Sequence, residues 1–173
     1  MGAQGDESFR GWAESSRPGL RRVAFLMSGD WFLADDLVQD VLIRMYDAWP
    51  RLGGTGDLSA YSRRVLVNLY LDHRRRPFRR EQPTEELPEQ SRSDDDGPGT
   101  RDQLLAALRE VPAGQRAVLV LRYWEDQSIE QTAQMLGTSA GNVKSQSSRG
   151  LAALREALAA QGLSDTFSLQ EQP

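Results

Sequence analysis

The sequence predicts an all-α fold in which two small helical domains are joined by a flexible acidic linker. Apolar residues recur at helical spacing through most of the 173 residues. No stretch of useful length shows the alternating pattern of a half-buried strand. Four prolines and a run of acids interrupt the helical pattern between residues 77 and 100. We therefore assign residues 1–76 to a first domain, 77–100 to the linker, 101–160 to a second domain and 161–173 to a tail.

The first domain is predicted to contain three helices. Apolar residues from Phe9 to Met27 have helical spacing, with a break expected at Pro18-Gly19. A second helix over 34–49 has one apolar face, and a loop over 50–59 with three glycines follows it. The third helix is expected from about Ala60 to Arg76, capped by Ser59 or Asp57, with an apolar stripe of Tyr61, Val65, Leu69 and Leu66.

The second domain is predicted to end in a helix-turn-helix. An amphipathic helix over 102–111 is followed by a second helix that opens at Pro112 and runs to about Trp124. Ser128 and Gln131 have the spacing of a capping box that opens a third helix. Gly137 ends that helix, and Ser139 caps a last helix that runs to about Ala159. Small, turn and core positions of the motif are filled by Ala133, Gly137 and Val143.

Composition excludes several functional classes. The chain has no cysteine, which excludes disulfides, thiolate metal sites and a cysteine nucleophile. Its single histidine, His73, makes a histidine metal site or a Ser-His-Asp triad improbable. No apolar run approaches the roughly 20 residues of a membrane-spanning helix, and the N-terminus lacks a signal-peptide pattern. We expect a cytoplasmic protein with no membrane insertion, no cofactor and no catalytic residue.

The net charge of −4 conceals a separation of charge along the chain. Residues 61–80 contain seven arginines and one acid, which is the pattern of a phosphate-binding stripe. A solvated arginine-rich helix end would have the same pattern, and the residues alone leave the two interpretations even. Residues 81–100 contain seven acids and one arginine. The linker and the basic residues 74–80 could attract each other and close the free protein.

The polar face of the last helix indicates DNA binding. Lysine and arginine side chains can reach phosphates or guanine, and asparagine and glutamine can read base edges in the major groove. A helical hairpin with a solvated polar face is the alternative. The residues of this face that we single out are Ser139, Gly141, Asn142, Lys144, Ser145, Gln146, Ser148 and Arg149.

Three segments together resemble the extracytoplasmic-function (ECF) sigma factors of bacterial RNA polymerase. ADDLVQDVLIRMY looks like the polymerase-binding helix of that family, although alone it is an ordinary amphipathic helix. YSRRVLVNLYLDHRRR looks like the helix that reads the −10 element. The segment from VPAGQRAVLVLRYW to SSRGLAALR looks like the domain that reads the −35 element. The resemblance covers about residues 8–76 and 101–158, in the order of the family.

The resemblance implies a promoter-selecting subunit whose catalysis lies in the core enzyme. The implied partners are core RNA polymerase, through the clamp helices of its largest subunit and its flap, promoter DNA, and an anti-sigma factor. The linker would run through the RNA channel. Clamp-helix contacts map to Asp36, Gln39, Asp40 and Ile43. Contacts to the opened −10 element map to Arg51, Ser59, Arg63, Arg64, Asn68, Arg74 and Arg75.

The sequence departs from the family at two base-reading positions. Gln146 stands where the family usually has arginine, and Asn142 where it usually has threonine. Glutamine prefers adenine, whereas arginine prefers guanine. We therefore transfer to this chain the way in which the family docks on DNA, but not a −35 sequence. Two alternatives remain at this stage: a free-standing helix-turn-helix regulator and a helical adaptor without a DNA role. An enzyme is a distant third, because no group of acids stands out as catalytic.

Overall fold

Within the described residues, 2–52, 57–75 and 100–163, the computed structural model of the protein contains seven α-helices and no strand. A π-helical segment, Val120–Trp124, continues the fifth helix without a break. The all-α prediction is therefore confirmed for these residues. The helices are α1 Ala3–Ser28, α2 Trp31–Leu52, α3 Leu58–Arg75, α4 Thr100–Glu110, α5 Ala113–Leu119, α6 Ile129–Leu136 and α7 Ala140–Ala160.

The expected break at Pro18-Gly19 is wrong, because α1 runs through it as one helix. Pro18 is exposed, so its ring meets solvent rather than a neighbouring helix. The turns before it are held by aromatic packing: the Phe9 ring centroid lies 5.2 Å from that of Trp49, and the Trp12 centroid 5.5 Å from it. We infer that this tertiary packing offsets the backbone hydrogen bond that proline cannot make.

The second helix is longer than predicted at both ends. Asp30 accepts hydrogen bonds from the backbone nitrogens of Phe32 (2.8 Å) and Leu33 (3.3 Å), which fixes its start. Its last turn includes Pro50 and Arg51, residues that the sequence placed in a loop. The third helix is capped by Asp57, whose carboxylate accepts from the Ala60 backbone nitrogen at 2.9 Å.

The apolar stripe predicted for α3 is displaced around the helix. Ser62, Leu66, Val67 and Tyr70 are buried, whereas Tyr61 is exposed and Val65 and Leu69 are only half-buried. The reason is that α3 packs on α1 and α2 from one side and on α5 and α6 from the other. A helix enclosed from two sides buries a wider arc than a helix on the surface of a single bundle.

The two regions form one continuous apolar core. Leu66 and Tyr70 of α3 belong to the same cluster of buried residues as Leu121 and Met135 of the second region. The side chain of Arg116 is also buried here, and it donates to the carbonyl of Met27 at 2.8 Å. In this arrangement, which we call the closed arrangement, the second region is folded against the first. The linker proposed as its electrostatic cause lies outside the described residues, apart from Thr100, where α4 begins.

Candidate nucleic-acid interface

The helix-turn-helix is built as the sequence predicts. The Ser128 hydroxyl accepts from the backbone nitrogen of Gln131 at 3.0 Å, and the Gln131 side chain accepts from the Ser128 nitrogen at 2.8 Å. Gly137 ends α6 with φ 62°, a left-handed conformation that favours glycine. Val143 is fully buried against Val118 and Ala133. These contacts fix α7 against α6, so the outer face of α7 is presented on a rigid support.

That outer face carries the predicted DNA-reading residues. Seven of the eight are exposed, and Gln146 is half-buried. Ser139 is already engaged, because its hydroxyl accepts from the Asn142 backbone nitrogen at 3.1 Å and caps the helix. The Asn142 side chain donates to the Thr138 hydroxyl at 2.9 Å. The exposed basic side chains of the face, Lys144 and Arg149, lie on α7 five positions apart.

The residues predicted for the −10 element are divided between two helices. Arg51 is exposed in the last turn of α2, and Ser59 is exposed in the first turn of α3, so neither lies in the loop where the sequence placed it. Arg64, Asn68 and Arg75 share one face of α3, because positions separated by four and eleven residues align on a helix. Arg64, Arg74 and Arg75 are exposed, and Asn68 is half-buried. Arg75 also makes an ion pair with Asp72 at 3.4 Å.

Arg63 differs from the other arginines of α3 because it is held by two partners. Its guanidinium donates to the Ser59 hydroxyl and makes a partly buried ion pair with Glu125, which follows the π-helical segment. Arg63 is therefore not available to a phosphate in the closed arrangement. The pair joins residues 62 positions apart, and it links the two regions.

A second polar contact between the regions centres on Arg116. Its guanidinium donates to the carbonyls of Val111 (2.9 Å), Met27 (2.8 Å) and Arg109, while Arg109 donates to the carbonyl of Gly29 at 2.6 Å. Burial lowers the pKa of Arg116 from its ordinary value, although hydrogen bonds satisfy the cation. Burial also raises the pKa of Tyr70, whose hydroxyl has no hydrogen-bond partner among the described residues.

The residues predicted to bind polymerase lie on the outer face of α2. Asp36, Gln39, Asp40 and Ile43 are all exposed, and Ile43 retains 56% of its accessible surface. The opposite face of α2 is buried. An exposed face that combines acids, an amide and an apolar side chain suits a protein interface.

Comparison with known families extends over both regions. The family profile of Sigma-70 region 2 matches residues 7–80, and that of Sigma-70 region 4 matches residues 101–154. The RNA polymerase sigma-E factor of Streptomyces coelicolor is 38% identical over 156 residues, which cover 90% of this chain and 88% of that protein. The ECF RNA polymerase sigma factor SigL of Mycobacterium tuberculosis is 34% identical over 145 residues, which cover 79% of this chain and 80% of that protein. The chain belongs to the ECF sigma factors of bacterial RNA polymerase. It is therefore an initiation subunit, and catalysis lies in the core enzyme.

Solved sigma factors share the fold of this sigma factor. The sigma factor RpoE from Bartonella quintana, in its complex with the anti-sigma factor NepR, superposes with a TM-score of 0.71 at 25% identity, over 88% of this chain and 98% of that one. CnrH, in its complex with the cytosolic domain of CnrY, has a TM-score of 0.64 at 22% identity, over 90% of both chains. Because the match includes region 2 as well as region 4, neither a free-standing regulator nor a helical adaptor describes the chain.

Two further findings bear on function. Within the described ranges, no helix is long and apolar enough to cross a membrane. No group of three or more His, Asp or Glu side chains among these residues could hold a metal ion.

Sequence reasoning missed Glu125 and Arg116, two of the residues that join the regions of this sigma factor. Glu125 and Arg116 fall within helical or turn patterns that look like ordinary surface positions. Their roles come from partners 62 and 89 positions away, and no periodic pattern encodes such pairs. A buried arginine between two domains is visible only once both domains are packed.

Proposed function

We propose that this sigma factor directs initiation through three separate surfaces. The exposed face of α2, with Asp36, Gln39, Asp40 and Ile43, docks on the clamp helices of the largest polymerase subunit. The outer face of α3 holds the opened −10 strand, and the outer face of α7 enters the −35 major groove. The flap receives the second domain, and the acidic linker follows the RNA channel. The observation that carries the proposal is that each surface is exposed on a helix whose opposite face is buried.

At the −35 element, α7 supplies both affinity and readout. Lys144 and Arg149 contact phosphates or guanine, and Asn142 and Gln146 read base edges, with adenine the preferred base. Ser145 and Ser148 add hydroxyl contacts, and Gly141 allows close approach of the backbone. Ser139 keeps its capping role and positions the first turn of the helix.

At the −10 element, the chain captures a flipped base and holds the separated strand. Arg51 and Ser59, at the adjoining ends of α2 and α3, contact the base. Asn68 lies about 13 Å beyond Ser59 along α3 and on its opposite face, beside Arg64, so it contacts the separated strand instead. Arg64, Arg74 and Arg75 bind the phosphates of that strand. Arg63 joins them only after it leaves Glu125. The closed arrangement is therefore a resting state, and the domains must separate when polymerase and promoter are engaged.

We further propose the domain limits 1–76, 77–100, 101–160 and 161–173, and a cytoplasmic location, since a polymerase subunit works on the chromosome.

The relative RpoE was crystallised with an anti-sigma factor. A partner of that class would keep this chain inactive by stabilising the closed arrangement.

A run-off transcription assay tests the proposal. Purified protein, sigma-free core polymerase and a library of genomic promoters are combined, with Asp36→Arg plus Gln39→Ala as the test variant. The matched control is Glu7→Arg plus Gln4→Ala, which likewise replaces one acid by arginine and one glutamine by alanine, three positions apart, on exposed positions of α1. We expect discrete transcripts from the wild type and the control and none from the test variant. Equal transcription by all three proteins would refute docking through α2.

A further inference from the structure

Phe32 is the most exposed of the large apolar side chains in the described residues, with 75% of its surface accessible. It lies in the first turn of α2, next to two half-buried residues, Trp31 and Leu33. Single exposed apolar residues are common on protein surfaces. Phe32 matters because it keeps three quarters of its surface in water and lies on the helix whose outer face is proposed to bind polymerase.

The fold holds Phe32 in this exposed position. The Trp31 ring stacks on Phe25 with centroids 3.9 Å apart, and the Arg21 guanidinium lies 4.2 Å from the Trp31 centroid on its other side. Arg21 in turn makes two hydrogen bonds to Asp35, at 2.6 and 3.1 Å, which lower the pKa of that carboxyl. Because Trp31 is fixed by these contacts, the next residue is rotated by about 100° around the helix axis and points away from the core.

Phe32 is aligned with the proposed polymerase-binding residues. Phe32 and Ile43 are eleven residues apart, which is about three helical turns and roughly 16 Å along the axis. Asp36 and Gln39 fall on the same face between them. The surface thus combines two exposed apolar side chains with polar side chains between them, and aromatic residues such as Phe32 are enriched in protein interfaces.

We propose that Phe32 is an apolar anchor of the contact with core polymerase and extends that surface by one turn toward the start of α2. The occupant is the same polymerase surface that receives Asp36 and Asp40. That surface must therefore offer an apolar depression beside basic or donor groups. This anchor rests on the proposed function and on the continuity of Phe32 with the α2 residues assigned to polymerase binding. Because the contacts of Trp31 hold the backbone of this turn, binding orders only the Phe32 side chain.

Competition binding tests this anchor. Full-length variants displace labelled wild-type protein from sigma-free core polymerase, and Phe32→Ala is compared with Phe32→Leu and with Tyr61→Ala, which removes another exposed aromatic ring from a different helix. We expect Phe32→Ala to weaken core binding about thirtyfold, which is the loss typical of a hot-spot aromatic side chain. Phe32→Leu should stay within about threefold of the wild type, and Tyr61→Ala should be unchanged. The melting temperature should not change for either Phe32 variant, and binding to −35 duplex should not change for any of the three.

The outcomes separate this inference from the proposed function. Unchanged core binding by Phe32→Ala, with binding lost in Asp36→Arg plus Gln39→Ala, would overturn the anchor and leave docking through α2 intact. Unchanged binding by both variants would overturn docking through α2 as well. If Phe32→Ala instead dissociated a dimer in sedimentation and left core binding unchanged, a second copy of the chain would be the occupant and the anchor would be overturned.

Discussion

Replacement of Glu125 by glutamine should increase the fraction of molecules in which the two regions have separated from the closed arrangement. The carboxylate of Glu125 makes the ion pair with Arg63, and the two side chains are only 13% and 27% exposed. Such a pair is screened less than a surface pair. Glutamine keeps the shape, and its amide oxygen can still accept from the cationic Arg63 guanidinium, so the change removes the carboxylate charge and little else.

The expected shift follows from the worth of the ion pair. Fully exposed pairs contribute about 0.2–1 kcal/mol, and this partly buried pair belongs at the upper end of that range because solvent screens it less. The loss is therefore about 1 kcal/mol, which changes the ratio of open to closed molecules about fivefold. If the closed form predominates, the apparent affinity for single-stranded −10 DNA rises by up to the same factor, since Arg63 is available only in the open form while the other arginines are exposed in both.

Two assays measure this shift. The chain has no cysteine, so cysteines introduced at the exposed positions Asp47 and Glu156 can carry a donor and an acceptor dye, and energy transfer reports opening directly. Fluorescence anisotropy with a −10 oligonucleotide reports binding. Asp126→Asn is the matched control, because it removes the same charge from the adjacent exposed residue and asparagine tolerates the left-handed conformation there (φ 50°). Equal energy transfer and equal DNA affinity for Glu125→Gln and Asp126→Asn would refute a closing role for the pair.

Three further predictions concern DNA binding, core stability and helix capping. Lys144→Ala and Arg149→Ala should each weaken binding to −35 duplex and make the slope of log affinity against log salt shallower by about one. Fluorescence anisotropy over a salt series measures both quantities. An unchanged slope would exclude a phosphate contact. Tyr70→Phe should leave stability unchanged or raise it by up to about 1 kcal/mol, because it removes a buried hydroxyl that has no partner. Burial raises the pKa of Tyr70, so this tyrosine ionises first in the unfolded chain, and the stability of the wild type should fall as the pH rises above about 10. Denaturant unfolding at pH 8 and 11 should show a smaller fall in stability for Tyr70→Phe than for the wild type. Equal falls would contradict this. Ser128→Ala should destabilise the chain by about 1 kcal/mol in the same unfolding assay through loss of the capping box, and a change below a few tenths would contradict that role.

Local signals allowed the second region to be predicted closely from sequence. The capping box at Ser128, the left-handed Gly137 and the cap at Ser139 each involve residues within three or four positions of one another. Such interactions are encoded in a short window of sequence. The buried position of Val143 follows from the same window, because its spacing from the cap sets its face of the helix.

Long-range packing explains what the sequence could not predict. Continuity of α1 at Pro18 depends on aromatic contacts with α2, about 30 to 40 positions further along the chain. The buried face of α3 depends on a second region that follows a long linker. The exposure of Phe32 depends on the stacking of Trp31, which periodicity alone does not reveal. In the first two cases the deciding partner lies outside the window from which helices are recognised, whereas Phe25 is only six positions from Trp31 but belongs to a different helix.

Strand opening at the promoter is the most direct test of the central claim that this chain is a sigma factor working through α2, α3 and α7. Permanganate reactivity of −10 thymines should be measured with core polymerase on a promoter found by run-off transcription. We predict reactive thymines with the wild type, none with Asp36→Arg plus Gln39→Ala, and weak reactivity with Arg64→Ala plus Asn68→Ala while −35 duplex binding is retained. Unreactive thymines in a promoter that wild-type protein and core polymerase occupy would contradict the account, as would full reactivity with the α3 variant.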